Sequence, residues 1–336
     1  MINYIFANYF RRDEISVTTM HLFEHCLYKK IENKIEEKFV SHKNHGTVIN
    51  AETFVSNVFL EFYFSEPSYK ELLIEIIKSI NFTSKDLKLI EEERRIVLHE
   101  IATEDIDKEQ KILYTALKFV SNENIMSLYD GDIATSEDAI LIFNEILTNL
   151  SLLESINGTV KKHNTIIIVP RQVQETIQFY FKEDILIGAY RKPMITLGDI
   201  IANMFVSFLS GKSSESILHK ELINNFGLYL AYTLDIPLYN DYCIFFYCET
   251  NNDSRYEYEI NGIKREYFNE NYFEKNKAYF LTYILMEDSL FKEFNKFYLQ
   301  SIFCCESLTY SDIISAIKNI DYEHIKTILG VIYDNK

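Results

Sequence analysis

The feature that most constrains this chain is a five-residue pattern near its start, His21-Leu22-Phe23-Glu24-His25. Two histidines at positions i and i+4 lie one turn apart on one face of a helix, where both imidazoles can bind a single metal ion. Glu24 projects beside that ion. A zinc ion with three protein ligands keeps one position for water and lowers the pKa of that water to about 7, and a neighbouring carboxylate can take up its proton and return it to a leaving amine. The pattern thus supplies the minimum equipment for hydrolysing a peptide bond.

A short pattern of this kind also occurs by chance, and a metal site needs a third protein ligand. The segment 84–103 predicts a helix with Ser84 as its N-cap, and it carries Glu93 and Glu100 at i and i+7 on one face. Apolar neighbours make this helix partly buried, and a carboxylate that faces inward needs a partner or a metal. His99 is the competing ligand. It points about 100° away from Glu100, so the two do not easily serve the same ion.

The overall charge of the chain bears on whether it binds nucleic acid. The 336 residues carry 34 Lys and Arg against 50 Asp and Glu, which gives a formal net charge of −16. Phosphate binding needs clustered cations, so a chain this acidic is a poor candidate for nucleic acid. The negative charge either attracts basic peptides or serves solubility, and solubility is the simpler interpretation.

Cysteine usage and hydropathy bear on the compartment. The chain has five cysteines, none of them in a CxxC pair, and those at 304 and 305 are adjacent. An odd number without a metal-binding spacing is typical of free thiols in a reducing cytoplasm, so we predict a cytoplasmic location. Residues 1–10 do not have the pattern of a signal peptide, and no run of about 18 apolar residues predicts a membrane span.

The apolar pattern predicts an α+β fold of two related domains, 1–183 and 184–336, each a mixed or antiparallel sheet with helices packed mainly on one face. Two cycles of strands and helices in the same coarse order favour an internal duplication. Predicted strands span 2–9, 45–53, 55–64, 165–169, 184–190, 227–234 and 241–250. Predicted helices span 17–38, 68–80, 84–103, 135–148, 172–181, 197–209, 214–226 and most of 267–333.

Several of these stretches resemble one known family. The H-x-x-E-H pattern, the helix stretch 93–101 (Glu-Arg-Arg-Ile-Val-Leu-His-Glu-Ile) and the G-x-x-x-N-A-x-T stretch 46–53 are similar to the M16 zinc peptidases, the pitrilysin- or insulinase-like enzymes, in their half-length M16B form. The small-residue segment 209–218 and the Phe-Gly-Leu-Tyr run at 226–229 continue the resemblance. It therefore covers nearly the whole chain.

The resemblance implies an M16-like fold and a role for each residue of the site. A zinc ion would be held by His21, His25 and Glu100. Glu24 would act as general base and then as general acid, and Glu93 would orient the site through its contact with a ligand.

A second implication concerns the substrate. In relatives the strand that corresponds to 46–53 is a sheet edge to which the substrate adds as an extra strand, so main-chain hydrogen bonds give affinity with little demand on sequence. Asn50 and Ala51 would then hold the peptide beside the metal.

One part of the family's site departs from this pattern. When Gly227 is placed on the family glycine, Ile223 and Leu230 take the positions of an arginine and a tyrosine that hold the substrate and polarise its carbonyl. Tyr229 and Tyr232 lie close enough for a local misalignment to hide the tyrosine, but no arginine is near. Relatives that carry the zinc motif without this pair work with a homologous subunit that supplies it. We therefore predict the metal-bearing half of a heterodimer, with a homodimer as the competing possibility.

The implied function is that of a zinc-dependent endopeptidase subunit that cleaves short unfolded peptides. Half-length relatives in low-GC bacteria, whose composition this chain shares, trim leader segments from ribosomally made peptides, and that analogy gives a substrate class. The rival prediction is a non-catalytic structural or binding subunit, since some members of the family lost zinc and serve as scaffolds. The joint presence of His21, Glu24, His25 and Glu100 favours the enzyme.

Overall fold

The computed structural model shows two compact units. Described residues up to 162 belong to the first unit, and those from 176 onward belong to the second. The domain limits 1–183 and 184–336 stay a prediction. The structure describes residues 3–10, 15–39, 47–53, 57–64, 66, 68–103, 133–156, 159–162, 176–182, 185–193, 196–212, 215–220, 223, 231–238, 241–249, 268–286 and 310–333.

The first unit is built on an antiparallel sheet. Its strands are β1 Asn3–Phe10, β2 Thr47–Thr53, β3 Asn57–Phe64, β4 Ser151–Ile156 and β5 Thr159–Lys162. They are ordered β2-β3-β1-β4-β5, so β2 lies at an edge and pairs with β3 alone among the described strands. Across this pair Asn50 lies opposite Glu61, and Thr53 lies opposite Val58. The strands predicted at 2–9, 45–53 and 55–64 are confirmed within a few residues.

Helices follow where the apolar spacing predicts them. In the first unit they are α1 Val17–Phe39, α2 Tyr69–Lys78, α3 Leu87–Thr103 and α4 Ser136–Thr148. Helix α1 packs against β2, β3 and α3. It does so through fully buried side chains at i, i+1, i+4 and i+5, namely Leu22, Phe23, Cys26 and Leu27. The same helix therefore carries the core of the unit and the H-x-x-E-H pattern.

An aromatic cluster sets the orientation of α1. The Phe23 ring meets the Phe143 ring of α4 edge-on with centroids 5.4 Å apart, and Phe82 meets Phe143 at 5.0 Å. Each edge-to-face pair contributes about 0.5–1.5 kcal/mol beyond the burial of its apolar surface. Because Phe23 is held between its neighbours, the adjacent face of α1 is held as well.

The start of α3 differs in one detail from the sequence prediction. Ser84 is predicted as the N-cap, but the cap is Thr83, which precedes a single 3-10 turn at Ser84–Asp86. The Thr83 hydroxyl accepts a hydrogen bond from the backbone N–H of Lys85 at 3.3 Å, and the Asp86 carboxylate accepts one from the backbone N–H of Thr83 at 2.7 Å. A capping box needs its acid three residues after the cap, and only Thr83 satisfies that spacing.

A partly buried ion pair ties α1 to this turn. The Lys30 ammonium donates hydrogen bonds to the Asp86 carboxylate and to the Asn81 carbonyl, both at 2.6 Å. Burial acts to raise the pKa of Asp86, but the hydrogen bonds from Lys30 and Thr83 outweigh it and hold that pKa below its ordinary value. The pair therefore stabilises the fold above the pKa that Asp86 has in the unfolded chain, and this stabilisation is lost as the pH falls through the lower, folded value.

We expect Lys30→Met to lower the free energy of unfolding at neutral pH by about 1.5–3 kcal/mol, the usual loss for a hydrogen bond to a charged group. The difference from the wild type should shrink once the pH is low enough to protonate Asp86. Urea unfolding over a pH series measures both effects. Lys88→Met is the control, because that side chain is 87% exposed and its loss should change little. Equal effects of the two substitutions would contradict the assignment.

The second unit is built on another antiparallel sheet. Its strands are β6 Thr176–Lys182, β7 Ile185–Pro193, β8 Ala231–Leu238 and β9 Asp241–Glu249. They are ordered β6-β7-β9-β8. Its described helices are α5 Leu197–Ser207, α6 Glu270–Met286, α7 Tyr310–Lys318 and α8 Tyr322–Tyr333. Buried Phe205 joins α5 to α6 through rings whose centroids lie 5.7 Å away at Phe273 and 5.3 Å away at Phe280.

The small-residue segment after α5 has a steric reason. The helix continues into a π-helical turn, Phe208–Lys212. A Cβ atom on Gly211 would lie 2.4 Å from the backbone nitrogen of Thr233 and 2.7 Å from the carbonyl carbon of Tyr232. Real Cβ atoms do not approach backbone so closely, so this turn can pack against β8 only with glycine at position 211.

The predicted α+β class is confirmed, since both sheets are antiparallel and helices pack with them. The helix predicted at 172–181 is wrong, because β6 occupies most of that segment. Ile177, Phe179 and Phe181 alternate with the period of a strand, and the Gln and Glu residues before them, which form helices well, favoured the wrong interpretation. Strands β4 and β5 were not predicted. The strand predicted at 165–169 and part of the helix predicted at 214–226 lie outside the described residues.

Among the described helices, none combines the length and the apolar character needed to cross a membrane.

Candidate metal centre

Helix α1 presents its two histidines on the side that the core leaves free. His21 and His25 are half-buried, with 18% and 19% of their side chains exposed, while their apolar neighbours Leu22, Phe23 and Cys26 are fully buried. The two rings lie 4.8 Å apart between centroids and are inclined by 76°. The i, i+4 spacing predicted from the sequence therefore brings two imidazoles to one point.

Helix α3 brings Glu100 to the same point. Its Oε2 atom lies 3.5 Å from Nε2 of His21 and 3.4 Å from Nε2 of His25, and one ligand atom from each of the three residues lies within 4.8 Å of the others. Four ligands placed tetrahedrally at about 2.1 Å from zinc are about 3.4 Å from one another. The Glu100 oxygen thus lies at a separation from both imidazole nitrogens that suits a zinc ion, and the donor types of all three residues suit zinc as well.

The competing ligand proposed from the sequence lies elsewhere. His99 is exposed, and it does not belong to the group of metal-binding side chains found among the described residues. Glu100 follows it directly on α3, but one residue turns the side chain by about 100° around the helix. The face of α3 that meets α1 therefore brings Glu100, and not His99, to the two histidines.

Glu93 contacts the far side of one candidate ligand. Nδ1 of His25 lies 3.3 Å from Oε2 of Glu93, whose side chain is 13% exposed. A histidine that offers Nε2 to a metal carries its proton on Nδ1, so this nitrogen donates to the carboxylate. Such a contact fixes the tautomer and the ring orientation of a ligand. Glu93 therefore takes the position that the sequence resemblance implied for it.

Burial favours the neutral form of the other histidine. The pKa of His21 is lowered, first by burial of the ring and then by the neighbouring His25, against a smaller opposing effect of Glu100. A neutral imidazole keeps a lone pair for a metal, whereas an imidazolium has none. Burial thus favours the form of His21 that is able to bind a metal.

Glu24 lies beside the three candidate ligands and is held by β2. Thr53 at the end of that strand donates a hydrogen bond from Oγ1 to Oε2 of Glu24 at 2.7 Å. Burial raises the pKa of Glu24 above its ordinary value, although the Thr53 hydrogen bond and His25 act in the opposite direction. A carboxylate with a raised pKa is better matched to accepting and returning a proton near neutral pH.

The contact between Thr53 and Glu24 was not predicted from the sequence. Thr53 belongs to the quoted G-x-x-x-N-A-x-T stretch, and the alternation of β2 places it on the same face as Ala51 and Ile49. The alternation of less polar and polar residues from Ile49 to Thr53 could have predicted which side of β2 faces the helices. In the structure Ile49, Ala51 and Thr53 are half-buried, while Asn50 and Glu52 are exposed.

The predicted peptide-binding residues lie on the edge strand. Asn50 donates from Nδ2 to Oε2 of Glu61 at 3.1 Å, and Ala51 is half-buried. Burial, followed by the charge of Glu61, raises the pKa of Glu52 on the same exposed face. The edge strand runs directly to Thr53 and hence to the candidate site. A role of Asn50 and Ala51 in holding a peptide stays a prediction.

The similarity of this chain to known proteins is seen in its fold. No protein-family model matches the sequence, and no curated protein does. Among solved structures, a protein from Alicyclobacillus acidocaldarius described as an M16-like peptidase aligns with a TM-score of 0.65 and 14% identity, over 98% of this chain and 90% of that chain. The chain has an M16-like fold.

Two further solved structures are similar to this chain in fold. The first half of the periplasmic protease PqqL from Escherichia coli aligns with a TM-score of 0.62 and 11% identity, over 99% of this chain and 85% of that chain. The inactive domain of a peptidase M16 from Pseudomonas fluorescens aligns at 0.60 and 11%, over 99% and 90%. M16-like folds thus include proteases and an inactive domain, so the activity of this chain must be argued from its own residues.

The positions that the resemblance assigns to an arginine and a tyrosine are only partly described. Ile223 is half-buried, and Leu230 lies outside the described residues, as does Gly227. The absence of an arginine near these positions rests on the sequence.

Proposed function

We propose that this chain is the metal-bearing subunit of a zinc-dependent endopeptidase that cleaves short unfolded peptides. The observation that carries the proposal is the meeting of His21, His25 and Glu100 at one point with Glu24 beside them. A scaffold protein has no need to keep three candidate ligands and a half-buried carboxylate together. The M16-like fold supports the same class of protein.

Each residue has a defined task in this proposal. His21, His25 and Glu100 hold the metal, and the Glu93 carboxylate keeps the His25 ring oriented through Nδ1. Zinc bound there would polarise a water and a peptide carbonyl. Glu24 accepts a proton during attack and returns it to the leaving amine.

The site calls for a partner that finishes it. Ile223 and Leu230 offer no cation or hydroxyl to the charge that develops on the substrate carbonyl oxygen, and such donors usually contribute a large part of catalysis. We therefore propose a heterodimer in which a homologous chain supplies an arginine and a tyrosine. The likeness to the first half of PqqL supports a subunit of this size. A homodimer is the less favoured arrangement.

The substrate class follows from the edge strand. A peptide that adds to β2 makes main-chain hydrogen bonds, which any extended sequence can supply, whereas a folded protein cannot present such a segment. Leader segments of ribosomally made peptides are unstructured and belong to this class. We propose them as substrates of the assembled peptidase.

The decisive experiment joins the chain to its partner. Any homologous chain encoded beside it is co-expressed with it, the complex is purified, and bound zinc and cleavage of unstructured fluorogenic peptides are measured. We expect about one zinc ion per copy of this chain and cleavage by the complex alone. Full activity of the isolated chain would remove the heterodimer, and a complex without zinc would remove the peptidase.

The second candidate function is a non-catalytic subunit, and the likeness to an inactive M16 domain favours it. Such a subunit would assemble with its partner and bind peptides without cleaving them. Zinc content separates the two functions, because a scaffold would bind no metal at the three candidate ligands.

A further inference from the structure

The contact between Thr53 and Glu24 joins two parts of the first unit that are 29 residues apart in sequence. Thr53 is the last residue of β2, the strand at the edge of the sheet. Glu24 lies on α1 between the two histidines. One hydrogen bond of 2.7 Å thus connects the strand that would receive a peptide with the carboxylate that would move its proton.

The backbone of the sheet fixes where Thr53 points. Along β2 the side chains alternate between exposed and half-buried, and Thr53 belongs to the half-buried set. It lies opposite Val58 of β3, which is fully buried. Residues opposite each other in an antiparallel pair share one face of the sheet, and this face packs against α1. The hydroxyl therefore reaches Glu24 because of the register of the strands.

Glu24 has little else to hold it. A glutamate side chain turns about three single bonds, and its position on α1 sets only the direction in which it leaves the helix. Within the part of the chain that the structure describes, the Thr53 hydroxyl is the one hydrogen-bond donor to the Glu24 carboxylate. The bond engages Oε2, and no hydrogen bond from the described residues engages Oε1.

We propose that Thr53 is a positioning residue that couples the edge strand to the orientation of Glu24. This inference rests on the proposed peptidase function. A peptide that pairs with the edge of β2 to which no other described strand is bonded restrains β2 on both sides, and the hydrogen bond from Thr53 extends this restraint to Glu24. The Glu24 carboxylate is thereby fixed in its orientation when a substrate is bound to β2.

The test replaces the hydroxyl without changing the shape of the side chain. Thr53→Val removes the donor, and Thr53→Ser keeps it. In the complex with the partner subunit, we expect Thr53→Val to lower kcat about 10- to 100-fold, the usual cost of removing a contact that orients a site. KM and the zinc affinity, measured by competition with a chelator, should stay close to the wild-type values. Thr53→Ser should recover most of kcat.

The matched control is Thr148→Val. The Thr148 hydroxyl also donates one hydrogen bond, to the Asn144 carbonyl at 2.8 Å, but it lies at the exposed end of α4. Its loss should leave kcat unchanged and so shows what removing a threonine hydroxyl costs outside the site.

Three outcomes would overturn the proposal. Wild-type kcat in Thr53→Val would show that the hydrogen bond does not matter, and a kcat in Thr53→Ser as low as in Thr53→Val would show that the hydroxyl is not the cause. A parallel loss of zinc affinity would make Thr53 a structural support of the metal site. Glu24→Gln separates these failures from that of the peptidase itself. If Glu24→Gln is inactive and Thr53→Val is fully active, only the role of Thr53 fails, whereas activity in Glu24→Gln removes both.

Discussion

Replacing Glu24 with glutamine is expected to abolish peptide cleavage and to leave zinc binding intact. Glutamine has nearly the same shape and can still accept the hydrogen bond from Thr53 through its amide oxygen. It cannot take up a proton near neutral pH. General acid–base catalysis contributes about 10²- to 10⁴-fold, so kcat should fall by at least about a hundredfold. The measurement compares turnover of a fluorogenic peptide and zinc content in the complexes of wild type and variant.

Glu37→Gln is the matched control for this variant. Glu37 lies on the same helix, is exposed and is not among the candidate ligands. Its substitution makes the same change of charge without touching the site, so activity should be retained. Continued turnover by Glu24→Gln at the rate of Glu37→Gln would exclude Glu24 as the proton carrier.

The second large effect is expected at His25. Its Nε2 atom faces Glu100 and its Nδ1 atom faces Glu93, so His25→Ala removes one candidate ligand and the imidazole that Glu93 contacts. A zinc site with two of three protein ligands binds weakly, and we expect zinc to be lost on dialysis against a mild chelator. Cleavage should disappear with the metal. Zinc is measured in the protein after dialysis, together with circular dichroism to show that the fold is kept.

His99→Ala provides the control and also tests the alternative ligand. His99 is exposed and precedes Glu100 directly, so this variant removes an imidazole from the same helix without entering the site. It should keep its zinc. Loss of zinc from His99→Ala together with its retention in His25→Ala would reverse the assignment of the ligands.

The candidate site was largely predictable because it depends on helix geometry. A helix places i and i+4 side chains on one face, and His21 and His25 need nothing more to meet. Glu93 and Glu100 share a face of α3 by the same rule. The packing of α3 against α1 is tertiary structure, which these helix patterns do not predict. For the choice of Glu100 as the third ligand, the prediction therefore relied on the resemblance to a family. The structure brings the four residues together at the distances described above.

The contacts that the sequence did not predict depend on strand pairing. The hydrogen bond from Thr53 to Glu24 requires the register of β2 with β3 and the packing of α1 on that pair. Strand β4 was missed for a similar reason, since it buries Glu154 beside Lys70 of α2. A charged residue in a short apolar run argues against a buried strand, because burial of a charge is costly unless a partner of opposite charge lies beside it.

The position of the candidate ligands on two helices has a consequence for stability. A zinc ion would cross-link α1 to α3 much as a disulfide does. A ligand that binds only the folded chain stabilises it by about 4 kcal/mol at a thousand times its dissociation constant. Zinc starvation would then act twice, because a cell would lose the catalyst and, through proteolysis of the loosened chain, the protein that carries it.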